Sequence, residues 1–130
     1  MRKSPPRAKD SGRPKLTVRF FRSTAGREPV REWLRGLCQA DRKAIGDDIR
    51  TVQFGWPLGM PLVRKMADDL WEVRVGLPDG IARVLFTVVQ NEAVLLHGFI
   101  KKSQKVPKDD LETALTRSKL IRRKGNHGRD

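Results

Sequence analysis

Apolar and polar residues alternate in the stretch "LTVRFF", with Leu16, Val18 and Phe20 on one side and Thr17 and Arg19 on the other. A period of two predicts a strand. Beyond Gly26 and Pro29 the spacing changes, and Val30, Trp33, Leu34, Leu37 and Cys38 fall at i, i+3, i+4, i+7 and i+8, the stripe of an amphipathic helix. Asp41 stands where it can cap a second helix, whose buried side is Ala44, Ile45, Ile49 and Val52. Together these predict a helical hairpin, with Cys38 as a small core residue. The Gly- and Pro-rich "GWPLGMPL", residues 55–62, reads as loop.

After the loop, two β-rich runs flank Pro78-Asp79-Gly80, and Gln90-Asn91-Glu92 offers a second turn into a third run. A three-stranded antiparallel meander over roughly 70–76, 81–89 and 93–100 follows. Pro107 suits the first turn of a last helix, with Asp109, Asp110 and Glu112 early and Arg117, Lys119, Arg122 and Arg123 late, an order that complements the helix dipole. Leu111, Ala114, Leu115 and Ser118 are placed to face the sheet. The predicted fold class is therefore α+β: an antiparallel sheet, made of the N-terminal strand and the meander, packed with a helical hairpin and a C-terminal helix. If those helices cover one face, the other is open to carry a site. Residues 1–14 and 124–130, with little to bury, are expected to be disordered basic tails around a single domain at 15–123.

Charge narrows the partners. The chain carries 28 Lys and Arg against 15 Asp and Glu, a net +13. Residues 1–14 hold +4 of this and residues 117–130 hold +5, so the central part is basic as well. A polyanion is the expected partner, either nucleic acid or an acidic protein. No apolar run is long enough to span a bilayer, and "MRKSPPRAKDSGRPK" lacks the hydrophobic segment of a secretory signal. The expected compartment is the cytoplasm, without membrane attachment. The lone Cys38 excludes an internal disulfide framework and a cysteine-rich zinc site.

Common enzymatic patterns do not occur: there is no P-loop, no dinucleotide fingerprint and no histidine-carboxylate spacing for a metal. No cofactor or metal is expected. What the meander offers is basic chemistry: Arg64 and Lys65 after the loop, Arg74 and Arg83 in the first two runs, and His97, Lys101, Lys102 and Lys105 at the end of the third. Alternation puts Trp71, Val73 and Val75 on one face and Glu72 and Arg74 on the other; His97, Phe99 and Lys101 share a face opposite Leu96, Gly98 and Ile100. Arginines and lysines hold phosphates and stabilise charge that develops on a phosphodiester in flight, and a histidine moves protons near neutral pH. Against this stands a simpler reading, in which Arg74 partners Glu72, Arg83 is structural, His97 ends a strand and the lysines are its solvated tip. Trp33 and Trp71 lie on apolar faces, which leaves Trp56, in the loop, as the candidate for stacking a base.

The stretches "LWEVRV", "GIARVLF" and "AVLLHGFIKKSQKVPKDDLETA" resemble the RelE/ParE toxin superfamily, in particular the phage-derived HigB-like branch of type II toxin-antitoxin toxins, from about Leu16 to Arg117. The resemblance implies a RelE-like domain that enters the ribosome and cuts mRNA without a metal, silenced by a cognate antitoxin that often carries a helix-turn-helix. It makes His97, Arg83, Lys101 and Lys102 candidates for catalysis, and Arg64, Lys65, Arg74 and Lys105 candidates for binding phosphate or RNA. The ParE branch shares the fold and inhibits gyrase, and a non-catalytic binding module of the same fold is a further alternative. The chain has no tyrosine, so the role of the tyrosine base frequent in RelE-type members passes here to His97 or a lysine, or is absent.

Overall fold

Three hairpins with two-residue turns organise the second half of the chain. In the computed structural model, which describes residues 12–102 and 105–129, they join β2 (Val63–Ala67), β3 (Leu70–Leu77), β4 (Gly80–Val89) and β5 (Glu92–Lys101) into an antiparallel meander. Asp69 and Gln90, at φ near +59° and +57°, supply the left-handed residue in the first and third turns. Before the meander come β1 (Thr17–Phe20), α1 (Pro29–Arg35) and α2 (Gln39–Gly55), and after it α3 (Lys108–Arg129). The sheet order is β1-β5-β4-β3-β2. The α+β class is as predicted and so are the helical elements, except that α3 runs on to Arg129 where a disordered tail from residue 124 is expected; residues 1–11 of the predicted N-terminal tail, like Ser103 and Gln104, lie outside the described residues.

Four local expectations need correction. β2 escapes the pattern of a strand because Arg64 and Lys65 break the apolar run; an edge strand tolerates such charges, and a bulge at Met66 shortens it further. β1 pairs with β5 in parallel, Thr17 opposite Glu92 and Phe20 opposite Leu95, because the hairpin α1–α2 carries the chain back across the sheet before the meander begins. Cys38 precedes α2 as its N-cap residue and is exposed, while Asp41 sits within the first turn. Trp56 is not a free platform: its ring meets Trp71 edge-on at 5.2 Å and Phe86 at 5.7 Å within the core.

Both faces of the sheet are covered. Val30, Ile45 and Val52 of α1 and α2 pack on Val73, Val75, Val84, Phe86 and Leu95. On the opposite face Ala114 of α3, with Leu111 and Leu115, packs on Leu70, Leu85, Val94, Leu96 and Phe99. Val94, Leu96 and Phe99 cannot share a face in a regular strand. They do here because β5 carries a bulge: Leu85 pairs with His97 and Phe86 with Leu95, which leaves Leu96 as the extra residue. The expectation that Leu96 lies opposite His97 is therefore corrected. The bulge also turns His97 to the α3 face, where an unbroken period of two running from Leu95 would have aimed it at α1 and α2.

Two arginines pin α3 to the sheet. Arg117 Nη1 donates to the Leu96 carbonyl at 2.8 Å, and its burial lowers the guanidinium pKa from its ordinary value. Arg122 Nη2 donates to Thr87 Oγ1 at 2.6 Å and to the Val88 carbonyl at 2.8 Å. Replacing Arg122 with methionine keeps the aliphatic stem but leaves the buried Thr87 hydroxyl without that donor. With the head of Arg122 one-third exposed, the expected loss is about 1–2 kcal/mol in urea unfolding.

Candidate functional site

The register of the meander gathers four charged residues on the α3 face. Arg64 of β2 lies directly opposite Glu72 of β3, and Arg74, two residues along β3, lies opposite Arg83 of β4. Glu72 thus has one arginine across the ladder, one on its own strand and one on the diagonal. Arg83 Nη1 donates to Glu72 Oε2 at 2.9 Å, and both side chains are wholly buried. Arg64 Nε stands 3.4 Å and Arg74 Nε 3.9 Å from Glu72 Oε1, ion-pair distances without hydrogen-bond alignment.

Three guanidinium groups surround one carboxylate. The cluster therefore carries an excess of positive charge in a place where screening by salt is weak. Arg83, with no exposed side-chain surface, cannot touch a ligand in this arrangement; its place is beneath the site, fixing Glu72. Arg74 and Arg64 have 17% and 36% of their side chains exposed and are the arginines of the cluster that reach the surface.

β5 continues the same face. Phe99 pairs with Arg83 and His97 with Leu85, which makes His97 the diagonal neighbour of Arg83. His97 Nε2 lies 2.6 Å from Asp110 Oδ1 in the first turn of α3, and the two side chains are each 21% exposed. A carboxylate only accepts, so Nε2 carries the proton of this bond, and in the neutral ring Nδ1 is left as the basic nitrogen. The Phe99 ring is 5.7 Å from the imidazole. Lys101, opposite Ile81, lies two residues beyond Phe99 on this face, while Lys102 and Lys105 are exposed where the chain leaves β5 for α3.

The structure brings together Arg64, Arg74, Arg83, His97 and Lys101, then. It does not bring Lys65 to them: Lys65 pairs with Trp71, whose side chain packs on the α1–α2 side, so Lys65 points away from the arginines. Two residues escape a reading of the sequence as parts of a site. Glu72 is visible there only as a partner for Arg74, although a carboxylate in the stripe Leu70-Glu72-Arg74 signals a buried ion pair. Asp110 reads as a helix-dipole residue, and nothing local links it to a histidine thirteen positions earlier.

The family described as Phage derived protein Gp49-like (DUF891) matches residues 32–119. No curated protein matches the chain. The matched span runs from α1 into α3 and contains every residue placed in the site above.

Proposed function

The match covers more than half of the chain, so the protein belongs to the Gp49-like family of phage-derived proteins, a RelE/HigB-type toxin family, and from that premise we propose that it is a HigB-like toxin that cuts mRNA on the ribosome without a metal. One observation carries the reading: an arginine cluster with excess positive charge lies on the same face, and one strand away, from a histidine whose second nitrogen is held by a carboxylate. Arg64 and Arg74 hold the scissile phosphate, and Arg83 sets them in place through Glu72. Lys101 and Lys102 stabilise the charge that builds on the phosphoryl oxygens, and Lys105 contacts RNA further out.

In this mechanism the ribose 2′-hydroxyl loses its proton to His97 Nδ1 and attacks the adjacent phosphorus. The P–O5′ bond breaks, a lysine ammonium protonates the departing oxygen, and the products are a 2′,3′-cyclic phosphate and a 5′-hydroxyl. A cognate antitoxin, for which a helix-turn-helix protein is the natural expectation, would keep the toxin silent in the cytoplasm. No helix among the described residues is long and apolar enough to cross a membrane.

Purified protein added to translating ribosomes is expected to leave mRNA ends within A-site codons. Arg74→Gln, at a partly exposed position, is expected to lower the cleavage rate at least roughly tenfold while the fold persists by circular dichroism. Growth arrest with intact mRNA overturns the reading, and cleaved DNA in a supercoiling assay without ribosomes would transfer it to a ParE-like gyrase inhibitor.

A further inference from the structure

We propose that Asp110 is a positioning residue for His97: it fixes the imidazole ring through Nε2 and so presents Nδ1 to the phosphodiester. This rests on the cleavage reading above and extends it to a residue outside the basic cluster. Three independent features of the fold converge on the aim of one ring. The bulge at Leu96 turns His97 to the face that carries the arginines. Arg117 donates to the Leu96 carbonyl, which ties that bulge to α3. Asp110, roughly two turns before Arg117 on the same helix, then holds Nε2 at 2.6 Å.

A purely structural role for Asp110 accounts poorly for this placement. α3 is already docked by Ala114, Leu111 and Leu115 and pinned by Arg117 and Arg122, so a charged bond between two partly exposed groups adds little to docking. Its geometry, by contrast, has a chemical consequence. A carboxylate on Nε2 selects one tautomer, stabilises the imidazolium that forms when Nδ1 takes a proton, and prevents the ring from turning. The first turn of α3 suits a carboxylate, because the helix dipole favours negative charge there.

The test uses the full chain on translating ribosomes, with Asp110→Ala, Asp110→Glu, His97→Gln and the double variant Asp110→Ala/His97→Gln. Asp110→Ala is expected to lower kcat roughly 10- to 100-fold with KM unchanged, with partial recovery in Asp110→Glu. The double variant is expected to be no slower than His97→Gln alone, since both act through one ring. An independent reading comes from nuclear magnetic resonance of histidine-labelled protein, where a slowly exchanging Nε2 proton of His97 is expected in the wild type and lost in Asp110→Ala; His127→Gln assigns the signal. Wild-type cleavage that Asp110→Ala leaves at full kcat, or additive losses in the double variant, overturns this inference alone. A wild-type protein that leaves mRNA intact overturns it together with the function from which it follows.

Discussion

Replacing Gly98 with alanine is expected to destabilise the protein by about 2–3 kcal/mol and to lower the thermal midpoint by on the order of 10 °C. Gly98 sits in β5 between His97 and Phe99, on the face that meets α1. A Cβ built there would lie 2.4 Å from Cε3 and Cζ3 of Trp33 and 3.0 Å from its Cδ2, well inside van der Waals contact. One effect opposes the clash: glycine in a strand interior costs roughly 0.5–1 kcal/mol relative to alanine, which the substitution would recover. The clash outweighs that gain, because the indole is a rigid plane lodged in the α1–α2 core and cannot withdraw one methyl's width without moving a seven-residue helix. The glycine of "LHGF" is thus a packing residue for α1 and has no part in the chemistry of the histidine beside it. Thermal unfolding of Gly98→Ala, Trp33→Leu and the double variant checks this. The double variant should be more stable than the sum of the single losses predicts, and strict additivity would show that the two residues do not press on each other.

How much of the molecule its sequence discloses depends on the range of the interaction involved. Periodicity is local, so Ile45 and Val52 in α2, Ala114 and Ser118 in α3, and the turns after β3 and β4 are legible without the structure. Register is not local. The approach of Arg64, Arg74 and Arg83 to one carboxylate depends on the pairing of three strands, and only that pairing turns apparently independent phosphate ligands into a ring around Glu72. A single bulge is enough to misplace Leu96, since one inserted residue reverses every later side chain. Lys65 groups with Arg64 by adjacency in the chain, yet adjacency in a strand sends neighbours to opposite faces.

The removal of Glu72 is expected to have the largest effect on stability of any single change in the site. Glu72→Leu is isosteric enough to fill its place, but it strips the carboxylate from three guanidinium groups, one of which, on Arg83, has no exposed surface. The expected loss is about 3–5 kcal/mol, the range for breaking a buried ion pair from one side. Arg83→Met should cost less, because Glu72 then still has Arg64 at 3.4 Å and Arg74 at 3.9 Å. The double replacement Glu72→Leu/Arg83→Met removes both buried charges and lets the partly exposed Arg64 and Arg74 turn to water. Its stability is expected within about 1–2 kcal/mol of the wild type, since a well-packed apolar pair commonly matches a buried salt bridge. If the ion pair serves only to hold the fold, the double variant should retain activity as well as stability. If its purpose is to set Arg64 and Arg74 for a phosphate, the double variant should be folded and at least roughly tenfold slower in cleaving mRNA. Urea unfolding of the three proteins, followed by mRNA end mapping with the stable one, separates these roles. A Glu72→Leu protein as stable as the wild type would refute the central place given to this carboxylate.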